Sequence, residues 1–130
     1  MDKYFERYNP NPLDKETGDC VVRALCATTR QSWLNIFDIL CNFARAEYTM
    51  PNNSEVYSKA FKYFGFKQKT IPRPKKGQKS MDVQKFCETH SDGTYIIKTA
   101  RHVIGVVQGK YYDLYPNYGQ KVYTYYELES

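Results

Sequence analysis

Cys20, His102 and Asp113 stand in an order and in settings that suit a thiol nucleophile with a general base and an orienting carboxylate. Cys20 follows Thr17-Gly18-Asp19 and opens a run to Thr29 in which Val21, Ala24, Leu25 and Thr28 recur at helical spacing. A thiol in the first turn of a helix feels the positive end of the macrodipole and the free amide donors there, and both favour the thiolate. Asp19, a good N-cap residue, sets a negative charge alongside and opposes that effect.

His102 and Asp113 are joined by hairpin geometry. If Gln108-Gly109 forms a two-residue turn, Val107 faces Lys110, Ile104 faces Asp113 and His102 faces Tyr115. His102 and Asp113 then share a face as diagonal neighbours, with backbones about 7–8 Å apart, which an imidazole and a carboxylate span when the strands twist. A carboxylate beside a histidine fixes its tautomer and stabilises the imidazolium, and a histidine beside a thiol takes up its proton.

The elements that must position this trio follow from periodicity. Asp19 starts the first helix; Ser32 starts a second with Trp33, Ile36, Phe37, Leu40, Cys41 and Ala44 on one stripe, ending near Glu47 or Tyr48. Ser54 caps a third, with Val56, Tyr57, Ala60, Phe61 and Phe64 inward until Gly65, and Ser80 caps a short fourth from Met81 to about His90. From Thr94 the pattern changes to β-branched and alternating runs beginning at Thr94, His102, Lys110 and Lys121, which read as an antiparallel meander. The expectation is one α+β domain over 1–130: a lead-in loop without a strand over 1–18, a helical half over 19–91 and an antiparallel sheet over 94–126.

A chain of 130 residues with 42% hydrophobic and 16% aromatic content is long enough to bury a core without disulfides or metals. The segment Met1 to Arg7 lacks an apolar stretch and charge interrupts every apolar run, so neither a signal peptide nor a spanning helix is expected. The expected setting is the cytoplasm, where cysteines stay reduced and each needs an explanation as packing or chemistry. Cys26, Cys41 and Cys87 fall on apolar stripes and read as core. Cys87 and His90 have the spacing of a metal pair, but a second pair is missing, so no metal and no cofactor are expected.

The net charge of +5 is concentrated at Lys67, Lys69, Arg73, Lys75, Lys76 and Lys79, which read as a solvated loop and as the candidate contact for an acidic partner or a nucleic-acid backbone.

Thr17-Gly18-Asp19-Cys20-Val21-Val22-Arg23-Ala24-Leu25 with Ser32-Trp33, then His102-Val103-Ile104-Gly105-Val106-Val107 and Gly109-Lys110-Tyr111-Tyr112-Asp113, resembles the papain-like cysteine peptidase superfamily in its minimal form, as in small bacterial and phage-encoded proteins. The resemblance implies a helical lobe bearing Cys20 packed on a sheet bearing His102 and Asp113, a thioester with an amide or acyl carbonyl, and a peptide or protein tail as substrate. It also implies a glutamine before the cysteine to bind the oxyanion, and this chain has none upstream of Cys20. Asn11 is the substitute, with Asn9 second and the Cys20 N–H as the other donor. A papain-like domain without activity, binding a protein or nucleic acid through the basic loop, is the alternative.

Overall fold

In the computed structural model, which describes residues 2–129, there are four helices and six strands. They run β1 (Phe5–Arg7), α1 (Cys20–Thr29), α2 (Trp33–Glu47), α3 (Ser54–Tyr63), β2 (Phe66–Thr70), α4 (Val83–Thr89), β3 (Thr94–Lys98), β4 (Val103–Val107), β5 (Lys110–Asp113) and β6 (Thr124–Leu128). The strands form one sheet in the order β1-β5-β4-β3-β6-β2. All neighbours are antiparallel except β1, which runs parallel to β5. The α+β class is as expected, but the sheet is mixed.

The hairpin register follows the turn. Gln108 and Gly109 both have positive φ, 51° and 76°, as a type I′ turn requires, and Val107 pairs with Lys110, Val106 with Tyr111 and Gly105 with Tyr112. Strands β3, β4 and β5 form the expected meander. The fourth run does not continue it: β6 crosses back to lie between β3 and β2.

Two strands lie where loop was expected. Within 1–18, Phe5–Arg7 forms β1, too short to show alternation, and Phe5 lies against Tyr111 with ring centroids 5.4 Å apart. The basic stretch begins as β2, an edge strand paired with β6, in which Lys67 and Gln68 are exposed. Lysines on an edge deter pairing with other chains, which accounts for part of the charge.

Three helix starts also differ. Asn53 rather than Ser54 caps α3, accepting from the Glu55 N–H at 2.9 Å. Asp82 rather than Ser80 caps α4, accepting from the Lys85 N–H at 2.8 Å, so that helix starts at Val83. Asp19 occupies the N-cap position of α1 without capping it, because its carboxylate is engaged elsewhere. Ser32 caps α2 as expected.

The core has two parts. Helices α1, α2 and α3 bury Leu25, Ile36, Leu40, Val56 and Phe61 with Ile96, Val103 and Tyr126 of the sheet. Val83, Phe86 and Cys87 of α4 pack with Tyr95, Ile97, Ile104, Val106 and Tyr111. Truncating a fully buried side chain such as Leu25 to alanine costs about 2–5 kcal/mol. Gly105 matters for the approach of α1 to β4: a Cβ there would meet the Ala24 carbonyl oxygen at 3.0 Å. The bare backbone lets the helix lie close on the strand, and so brings the start of α1 to the start of β4.

Candidate functional site

The start of α1, the residue before β4 and the last residue of β5 meet at one point. His102 Nε2 donates to Asp113 Oδ2 at 2.6 Å, which leaves Nδ1 as the ring nitrogen for the Cys20 sulfur. Burial pushes the Cys20 thiol up, yet the hydrogen bond and charge of His102, the Val103 N–H and the charge of Arg23 together bring it below its ordinary value. Burial works against a charged imidazole at His102, but hydrogen bonds to Asp113 and to Cys20 and the attraction of both raise it to about 9. The two shifts, in a half-buried setting, run in the directions that favour a thiolate beside an imidazolium.

Asp113 is held from four sides. Its Oδ1 accepts from the Leu114 N–H at 2.8 Å and from Arg23 Nη1 at 3.3 Å, and Oδ2 accepts from His102 and from Asn117 Nδ2 at 2.5 Å. The Asp113 carbonyl accepts from the Tyr8 N–H at 2.9 Å, just past β1. A carboxylate with so many donors is fixed in place, and its ring partner inherits the orientation.

Arg23 ties α1 to the last residue of β5. Its Nη2 lies 2.6 Å from Asp19 Oδ1 while Nη1 reaches Asp113, and all three side chains are at most 4% exposed. The other Asp19 oxygen accepts from Trp33 Nε1 at 2.8 Å. Asp19, expected to oppose the Cys20 thiolate, has both its oxygens turned to donors, and the charges that lower the thiol are those of His102 and Arg23. The Asp19–Arg23 spacing of four residues on a helix was a readable sign of this pair. Asn117, in the loop after β5, left no sign in the sequence.

The structure does not bring Asn11 to the site. Its carboxamide oxygen accepts from the Leu13 N–H at 2.9 Å and the Lys15 N–H at 3.3 Å, a local turn, and Asn11 does not line the cleft beside Cys20. Asn9 is likewise committed, with Nδ2 donating to Asp14 and to the Lys15 carbonyl. The Cys20 N–H, first of α1, has no helical carbonyl to meet and remains suited to an oxyanion.

The remaining cysteines differ from Cys20. Burial and the charge of Asp19 raise Cys26 to about 12, and burial with the charges of Asp2 and Glu88 raises Cys87 to about 12. Cys41 is only half-buried rather than core. His90, three residues after Cys87, has Nδ1 within 3.0 Å of both the Phe86 carbonyl oxygen and the Thr89 hydroxyl.

A cleft of about 910 Å³ opens over Cys20. Trp33 and Phe37, a stacked pair with centroids 5.0 Å apart, line it together with Tyr57, Lys98, Arg101 and His102. Among the described residues no helix is long and apolar enough to cross a membrane. Comparison of the chain with protein-family models, with curated proteins and with solved structures gives no match, so the functional argument rests on the geometry of this site.

Proposed function

We propose that this chain is a papain-like thiol hydrolase that attacks an amide or acyl carbonyl through a thioester on Cys20. The observation that carries the reading is the His102–Asp113 hydrogen bond of 2.6 Å together with the placement of Cys20 at the start of α1, in the same cleft as that imidazole. In the first step the Cys20 thiolate adds to the carbonyl carbon, and the Cys20 N–H donates to the developing oxyanion. The His102 imidazolium gives its proton to the leaving amine or alcohol, and the thioester forms as that bond breaks. Neutral His102 then takes a proton from water, whose oxygen attacks the thioester and releases the acid and the thiolate. Asp113 holds the ring through both steps and does not itself take the proton. The open cleft suits a peptide or protein tail laid across the junction of the α1 start and the β4–β5 hairpin.

p-Nitrophenyl acetate tests this directly. The expected result is a burst of p-nitrophenolate, acetyl on Cys20 by mass spectrometry, and slower turnover, all absent in Cys20→Ala. Acetylation spread over the cysteines, or a rate unchanged in His102→Ala, would overturn it.

A further inference from the structure

Two cations in the cleft have no use in this chemistry. Lys98, the last residue of β3, pairs across the ladder with Val103, and Arg101 directly precedes His102, so both stand on the histidine side of the opening. The cleft's two carboxylates, Asp19 and Asp113, are saturated by Arg23, Trp33, His102, Asn117 and the Leu114 amide. Among the described residues neither Lys98 nor Arg101 has an ion-pair partner. The Lys98 ammonium lies 5.3 Å from the centroid of the Tyr57 ring, which positions it without neutralising it. Half-buried, it is screened less by salt than a surface lysine.

We infer that the cleft selects an acidic peptide, with a substrate carboxylate received between Lys98 and Arg101 on the histidine side. The inference rests on the hydrolase reading for the site and adds a substrate class to it. An acidic substrate meets no free carboxylate in the cleft, whereas a basic one meets two like charges. The carboxylate can come from a Glu or Asp side chain or from a chain terminus, and the chemistry at the two cations is the same.

Three iodoacetyl probes of nearly equal size separate these sources and need no turnover: iodoacetyl-glutamine amide as the neutral reference, iodoacetyl-glutamate amide with a side-chain carboxylate, and iodoacetyl-glutamine with a free terminal carboxylate. The expected result is alkylation of Cys20 faster by on the order of tenfold with at least one acidic probe than with the neutral one, an advantage that shrinks as salt rises. The faster acidic probe names the source. Lys98→Met, which keeps the stem over Tyr57, and Arg101→Gln, in an exposed loop, should each remove much of the advantage, and Arg101→Glu should remove more. Equal rates for the three probes, or an advantage untouched by the Lys98 and Arg101 variants, would overturn the inference while leaving the hydrolase reading standing. A Cys20 no more reactive than Cys41 towards all three would instead overturn the hydrolase reading, and this inference with it.

Discussion

Cys20 with His102 and Cys87 with His90 pair the same residue types on one scaffold, and their chemistry is opposite. Cys20 opens α1, where amide donors are free, and its imidazole neighbour is fixed by Asp113. Cys87 sits inside α4 with its own helix saturated, buried in an apolar cluster, and its thiol is pushed up to about 12. His90 stacks flat on Phe86, centroids 3.9 Å apart, between Tyr95 and Tyr125. A cysteine and a histidine near each other are thus not enough; helix position and a buried carboxylate separate a thiol that is lowered from one that burial raises.

The comparison breaks most sharply if Cys20 and His102 are replaced. Cys20→Ala and His102→Ala should each lower ester or peptide hydrolysis by at least about 1000-fold, and Cys20→Ala combined with Asp113→Asn should lose little more than Cys20→Ala alone, because the parts act as a unit. His90→Ala should leave kcat nearly unchanged while lowering the melting temperature, through lost stacking on Phe86. Steady-state kinetics with a thermal melt separates these outcomes, and an inactive His90→Ala that remains folded would refute the contrast.

Next in size is the difference in thiol reactivity. At neutral pH iodoacetamide should modify Cys20 before Cys41 and on the order of 100-fold or more faster than Cys26 or Cys87, whose raised values leave almost no thiolate. Timed quenching and peptide mass spectrometry give the four rates. Equal rates in the folded protein would remove the distinction between Cys20 and the buried thiols.

Asp113→Asn should act through the histidine's pH behaviour. With His102 raised to about 9, activity that needs an imidazolium to protonate the leaving group should fall as pH rises through about 9, and the variant should show that limb at lower pH, with kcat down by about 10-fold to 100-fold. The linked stability has a definite sign. A raised histidine binds its proton more tightly in the folded state, so its contribution is complete below the ordinary value of 6.5 and is lost as pH rises through about 9. Between about pH 6 and pH 9.5 the wild type should therefore lose more unfolding free energy in urea than Asp113→Asn. A parallel loss in the two proteins would contradict the assignment.

Sequence patterns revealed the parts of this site that depend on short-range rules. The Gln108-Gly109 turn sets the register that brings His102 to Asp113, and the spacing of Val21, Ala24 and Leu25 places Cys20 at a helix start. Long-range pairing was not legible: β1 joins β5 across more than a hundred residues through three residues with no alternation to read, and β6 leaves the meander because of pairing with β3 that no turn dictates. Asn11 shows the limit of carrying a role across by residue type, since an asparagine before proline serves its own turn at least as readily as a distant oxyanion. Arg23 is of a residue type that usually stays in solvent, and only the tertiary fold buries it between two carboxylates.

The smallest predicted effect tests a link between the two neighbourhoods. Asn117 donates its side-chain amide to Asp113 Oδ2 at 2.5 Å, and its backbone N–H donates to the Tyr111 hydroxyl at 2.9 Å. Tyr111 belongs to the cluster around Cys87, and its hydroxyl is hydrogen-bonded to Asp2. Asn117→Ala removes one of the donors on the carboxylate and keeps the backbone bond; Tyr111→Phe removes the acceptor and keeps the side-chain bond. Since His102, Arg23 and the Leu114 amide still hold Asp113 in the first variant, the loss should be that of one hydrogen bond, about 1 kcal/mol or roughly fivefold in kcat. The proton on His102 would then be held slightly more tightly by a less well solvated Asp113, so the alkaline limb should move up a little, opposite to Asp113→Asn. Tyr111→Phe reaches Asp113 only through the loop backbone and should change kcat by less than about twofold, while the loss of its bonds to the Asn117 N–H and to Asp2 lowers stability by about 1–3 kcal/mol. A larger kinetic effect from Tyr111→Phe than from Asn117→Ala would mean that the apolar side of the sheet, and not the donors on Asp113, sets the position of His102.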